Sequence, residues 1–116
     1  MEAKAIARFV RMSPRKVRLV VDQIRGQSVN EAYALLRFSR KSAAEPVGKT
    51  LRSAVANAQE RARDQGESVD VDALRVSAAF VDEGPTMKRW RAAAMGRGMP
   101  RRRRTSHITV VVDTEA

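Results

Sequence analysis

Two alternating apolar runs lie near the end of this chain, and the residues between them cannot build a core. Leu74, Val76, Ala78 and Phe80 alternate with Arg75, Ser77, Ala79 and Val81. Ile108, Val110 and Val112 alternate with Thr109 and Val111. Both runs have the period of a strand with one buried face. Residues 84–104 separate them and carry eight basic side chains and no acidic one. A connection this long inside a small domain is functional or disordered. Gly84-Pro85 stands at its base and Gly96-Arg97-Gly98 in its middle. The arms on either side are similar in length, so the segment reads as an extended β-hairpin turning near Gly96. Ten-residue arms at ~3.3 Å per residue would reach about 30 Å. A free two-stranded hairpin is marginal in water, and like charge weakens it further. Such a ribbon is expected to order where a polyanion surrounds it.

The rest of the sequence supplies a body for this ribbon. Its 116 residues suit one domain, and 43% are apolar, enough for a modest core. Only 4% are aromatic, so that core must be made of Ala, Val, Leu and Ile. Residues 3–12 alternate roughly and read as a strand. Ser13-Pro14 starts a helix, with Ser as N-cap and Pro where its missing N–H costs nothing. Val17, Val20, Val21 and Ile24 give that helix one apolar face, and Gly26 ends it. Ser28 with Glu31 fits a capping box opening a second helix, striped by Val29, Ala32 and Leu36. A third helix is expected over residues 42–65, striped by Val47, Leu51, Ala54, Val55, Ala58 and Ala62. Ser42 with Glu45 suggests a capping box there, although Pro46 requires the helix to start late or bend. The order βαααββ implies an α+β fold: three helices packed on a small three-stranded antiparallel sheet, with a long protruding β-hairpin. Residues 1–116 form a single domain, the hairpin spanning about residues 84–104.

The formal net charge of +10 attracts polyanions, and its distribution is uneven. Residues 1–25 hold 7 basic and 2 acidic side chains, residues 26–63 hold 7 and 3, residues 64–83 hold 1 and 6, and residues 84–116 hold 8 and 2. The last two acids are Asp113 and Glu115. Arg101, Arg102, Arg103 and Arg104 are consecutive, so on a strand they project to both faces. That suits a ribbon enclosed by phosphate rather than one lying on a flat surface. Arginine forks match phosphate and stack on unpaired bases. Trp90, with basic neighbours, reads as a base-stacking residue rather than core. Arg8, Arg11, Arg15, Lys16 and Arg18 form a second basic cluster with little opposing charge.

Other chemistries are poorly supported. There is no cysteine, and His107 is the only histidine, so neither a thiolate site nor a histidine metal cluster is available. Asp82 and Glu83 lie at a turn and read as charge-balancing groups. Gly96-Arg97-Gly98 is too short for a phosphate loop and precedes no helix. No secretory signal or ~20-residue apolar span is expected. A membrane-surface role would need an amphipathic basic helix, whereas the basic run lies on a hairpin. A free-standing nucleic-acid regulator would bring a recognition helix or a dimer interface.

Phe80-Val81-Asp82-Glu83-Gly84-Pro85-Thr86-Met87-Lys88-Arg89 and Arg104-Thr105-Ser106-His107-Ile108-Thr109-Val110-Val111-Val112 closely resemble the bacterial large-subunit ribosomal protein L-twenty-two family. Lys16-Val17-Arg18-Leu19-Val20, Ile24-Arg25-Gly26 and Ser53-Ala54-Val55-Ala56-Asn57-Ala58 extend the resemblance in order along the chain. It implies a structural, non-enzymatic constituent of the large ribosomal subunit that binds 23S-type rRNA and supports assembly. No cofactor, metal, membrane or homo-oligomer is expected. The expected rRNA-binding residues are Arg8, Arg11, Ser13, Arg15, Lys16, Arg18, Lys88, Arg89, Trp90, Arg91, Arg97, Arg101, Arg102, Arg103, Arg104, Ser106 and His107, read from the charge clusters and their neighbours. The implied exit-tunnel tip is Lys88, Arg89, Trp90, Arg91, Ala92, Ala93, Ala94, Met95, Gly96, Arg97 and Gly98. The tip would lie beside the nascent peptide and influence macrolide response, and neighbouring ribosomal proteins would be further partners. Many members of the family it resembles carry Pro-Arg-Ala where this chain has Ala92-Ala93-Ala94.

Overall fold

The computed structural model describes residues 2–114; Glu115, counted among the acids above, lies outside them. Strand β1 (Glu2–Val10) is followed by helices α1 (Pro14–Ile24), α2 (Val29–Phe38) and α3 (Ala44–Asp64), then strands β2 (Leu74–Ala92) and β3 (Gly98–Thr114). The sheet is antiparallel with order β1-β3-β2, so the last strand is central. One face of the sheet carries the helices. Val17, Val20, Val21 and Ile24 of α1 are fully buried, as are Val47, Leu51, Ala54 and Ala58 of α3. They meet Ile108, Val110 and Val112 of β3 and Leu74 and Val76 of β2. Each large aliphatic side chain buried this way contributes roughly 1.5–3 kcal/mol. Val29, Ala32 and Leu36 join α2 to the same core. Tyr33 packs beside them; burial pushes its hydroxyl above the usual tyrosine range, with Arg52 opposing.

Helix starts follow local chemistry unevenly. Ser28 accepts a hydrogen bond from Glu31 N as a capping box requires. Ser13 occupies the N-cap of α1, but its side chain makes no cap bond. The capping box expected at Ser42 is corrected: α3 begins at Ala44 with Ala43 as N-cap and no side-chain cap. Pro46 thereby falls in the first turn, where a missing N–H has no intrahelical partner to lose. Asp70 accepts from Asp72 N and shapes a single 3-10 turn, Val71–Ala73, in the acidic link.

Strand β3 runs straight while its neighbours bulge around it. Register shifts fall between Val76 and Ala78 and between Glu83 and Thr86 on β2, and between Ala7 and Val10 on β1. Each inserts one extra residue against β3, which reverses the phase of the side chains beyond it. The alternation in β2 is therefore corrected. Leu74 and Val76 face the core, but Ala79 and Val81 replace Ala78 and Phe80 there, and Phe80 turns to solvent.

Both outer edges of the sheet are closed by the helices. From α1, Arg18 donates through Nε and Nη2 to Val81 O at 3.3 and 2.9 Å. Arg25 donates in the same way to Ala79 O at 2.9 and 2.6 Å. Gly26 N and Gln27 O pair with Val76. On the β1 side, Asn57 Nδ2 donates to Lys4 O at 2.9 Å and Arg61 to Glu2 O. Unpaired strand edges recruit other strands, and these side chains occupy the groups that would do so.

Candidate nucleic-acid interface

Beyond the body, β2 and β3 continue alone as a ribbon. Its ladder runs from Thr86↔Arg104 through Met87↔Arg103, Lys88↔Arg102, Arg89↔Arg101, Trp90↔Pro100 and Arg91↔Met99 to Ala92↔Gly98. Ala93 N donates to Arg97 O at 2.7 Å and closes the tip. Ala94–Gly96 form the turn, with Met95 and Gly96 at positive φ of 61° and 70°. The turn expected near Gly96 is thus centred on Met95-Gly96, and Gly98 belongs to β3. Trp90 lies over Gly98: a β-carbon there would meet Trp90 Cε3 at 3.5 Å. An aromatic covering a cross-strand glycine helps to hold register. With the ribbon extended, the chain is 67 Å along its longest axis and only 17 Å along its shortest.

Cross-strand partners share a face, so the register sorts the charges. Arg101 and Arg103 share one face with Arg89 and Arg91. Arg102 and Arg104 share the other with Lys88 and Trp90. All these side chains are exposed. Lys88 opposes Arg102 and Arg89 opposes Arg101, pairings that repel in the free protein. Among the described residues, the ion pairs Arg25–Asp22 and Lys49–Glu45 lie on the helices, and no carboxylate pairs with the ribbon. The ribbon is a cation on both faces.

At its base the ribbon is clasped by the end of β1. Ser106 Oγ donates to Met12 O at 2.6 Å, and Thr105 Oγ1 to Pro85 O at 2.7 Å. Phe9 N donates to His107 Nδ1 at 3.1 Å, and the Phe9 and His107 rings meet edge to face with centroids 5.1 Å apart. Phe9 has φ 58°, a left-handed conformation that an aromatic residue rarely adopts. This clasp brings the N-terminal cluster to the ribbon's root. Arg11 reaches Met87 Sδ at 3.9 Å, and Arg8, Arg15 and Lys16 are exposed nearby in sequence. The first turn of α1 has no acidic residue, so the partial positive charge of the helix start adds to that of Arg15 and Lys16.

Not every residue expected to touch RNA is free to do so. Ser106 is fully buried with its hydroxyl engaged, which assigns it to the clasp instead. His107 spends Nδ1 on Phe9 and is half-buried, leaving only Nε2, which lies beside Gly84, for another partner. Arg18 is committed through two of its nitrogens to the edge of β2. Ser13 is half-buried at the helix start. The remaining basic residues and Trp90 are exposed. Sequence reasoning placed Gly84 only at the ribbon's base and gave Arg25, Asn57 and Arg61 no structural role, because their contacts lie on strands far away in the chain. Among the described residues, no group of His, Cys, Asp and Glu is placed to hold a metal ion. No helix among them is long and apolar enough to cross a membrane.

Residues 5–113 match the family described as ribosomal protein L22p/L17e. The chain is 59% identical over 111 residues to the large ribosomal subunit protein uL22 of Desulfitobacterium hafniense (strain Y51), covering 96% of this chain and 93% of that one. It is 51% identical over 113 residues to the large ribosomal subunit protein uL22 of Syntrophus aciditrophicus (strain SB), covering 97% and 98%. A clasped α+β body, a two-faced cationic ribbon and likeness along nearly the whole chain agree: the chain belongs to the L22p/L17e family of ribosomal proteins.

Proposed function

We propose that this chain is a structural constituent of the large ribosomal subunit in the cytoplasm, where it binds 23S-type rRNA and supports assembly. The observation that carries this reading is the ribbon, which bears cations on both faces with no carboxylate partner among the described residues. RNA wrapped around it would supply the missing counter-charge and relieve the repulsion between Lys88 and Arg102 and between Arg89 and Arg101. The body anchors the ribbon through the clasp at residues 105–107. In this reading no reaction is catalysed, and the protein acts by holding RNA segments together. Residues 88–98 at the far end then lie beside the peptide exit tunnel, near the nascent peptide, and influence the macrolide response. Neighbouring ribosomal proteins are further partners, and no second copy of the chain is required.

The test is the salt dependence of binding to large-subunit rRNA. Each neutralised phosphate contributes roughly 0.7–0.9 to the slope of log K against log salt, so eight ribbon contacts give about 6–7. A measured slope near 1 contradicts the electrostatic reading.

A further inference from the structure

We propose that the helix-free face of the sheet is a stacking platform for an unpaired RNA base, with the sugar–phosphate chain running along β1. This rests on the chain being an RNA-binding protein and adds a second, non-ionic contact. The bulge between Val76 and Ala78 turns Phe80 out of the core and leaves it 45% exposed. Ile6 is 42% exposed, and both residues pair with Thr109, so the three side chains form one row across the sheet. Phe9 is 60% exposed beside His107, one step nearer the ribbon. Two exposed apolar side chains, one of them aromatic, flank the buried Thr109 on the solvent side of the sheet; such a surface suits a flat partner, and every nucleobase has a π-face.

Charge sets the direction of the strand. Residues 3–21 contain six basic side chains and no acid. Of these, Lys4 and Arg8 project from β1 on the same face as Ile6. Because β3 is unbroken, its odd-numbered residues share this face, so Arg103 and Arg101 continue it onto the ribbon. Asp82 lies on the β2 side, opposite His107. Phosphates therefore follow β1 from the ribbon's root, and the base lies inward over Thr109 toward Phe80. The phase reversal that spoils the simple alternation of β2 is what creates this site.

The test uses the full chain and protein-free large-subunit rRNA. Phe80→Ala is expected to weaken binding roughly 5- to 150-fold, the range set by losing one stacked base. The salt slope should stay unchanged, and Phe80→Trp should restore affinity. In a Trp90→Phe background, Phe80→Trp makes residue 80 the only tryptophan, and its emission should be quenched on binding RNA. If Phe80→Ala binds like the wild type and the quench is absent, while Arg101–Arg104→Ala weakens binding, the platform is wrong and RNA binding stands. If Phe80→Ala affects only incorporation into subunits carrying their other proteins, a protein covers this face and the proposal is overturned. If the wild-type chain does not bind the RNA, the underlying reading fails as well.

Discussion

Gly84 stands where the second β2 bulge passes the central strand. A β-carbon there would collide with Thr105 Oγ1, which is held to Pro85 O, and would come within 3.3 Å of the His107 ring. Its importance is therefore one of space at the root of the ribbon. Gly84→Ala is expected to destabilise the fold by about 1–3 kcal/mol, the usual penalty for overpacking. Thermal melting followed by circular dichroism reads this as a lower Tm. Adding Thr105→Ala should recover part of the loss, and a Tm unmoved by Gly84→Ala would show that the clasp yields easily. The same logic separates the arginines. Arg18 and Arg25 serve the backbone of β2, whereas Arg101 to Arg104 make no carboxylate contact among the described residues. Nothing in the local sequence distinguishes these two kinds of arginine. The carbonyls that claim Arg18 and Arg25 lie more than fifty residues away along the chain.

At the scale of elements, the body and the ribbon are separable. The apolar stripes of α1 and α3 and the alternation of β3 close the core, and the ribbon beyond Thr86 adds no buried side chain to it. Thr86 and Arg104 are paired, so residues 87–103 can be replaced by an Asn-Gly turn without altering register. That protein should melt cooperatively with the helical signal of the full chain. Loss of the cooperative transition would show that the ribbon helps to hold the core. The elements were largely legible in the sequence because their signals are local. Ser13-Pro14 marks the start of α1, Gly26 its end, and Ser28 with Glu31 the start of α2. The three bulges were not legible, since a bulge exists only relative to a partner strand. For this reason simple alternation assigned Phe80 to the core and missed the exposed row it forms with Ile6 across Thr109. The Ser42 capping box failed for a related reason: Ala43 is already helical in φ and ψ, so the chain turns into α3 without a side-chain cap.

The whole molecule is a small body with a lever, 67 Å from end to end. Its two ends should fail differently. Arg101–Arg104→Ala removes four cations close to the root, where RNA enclosing the ribbon has least room to relax, and should impair subunit assembly. Trp90→Ala over Gly98 should loosen the tip while leaving the root clasped. Assembly should then be mostly preserved, and the response to macrolides or to arrest-inducing nascent chains should change. Comparing subunit profiles with macrolide sensitivity for both sets of variants tests this division. Equal assembly defects, with no tunnel phenotype in surviving ribosomes, would contradict it. The central claim is that the chain is a built-in part of one particle, and sedimentation of cell extract tests it most directly. The chain should travel with large subunits at one copy each, in a ratio that stays constant as ribosome content varies. A chain that sediments free, or in a ratio that drifts from the subunit's, would contradict the account.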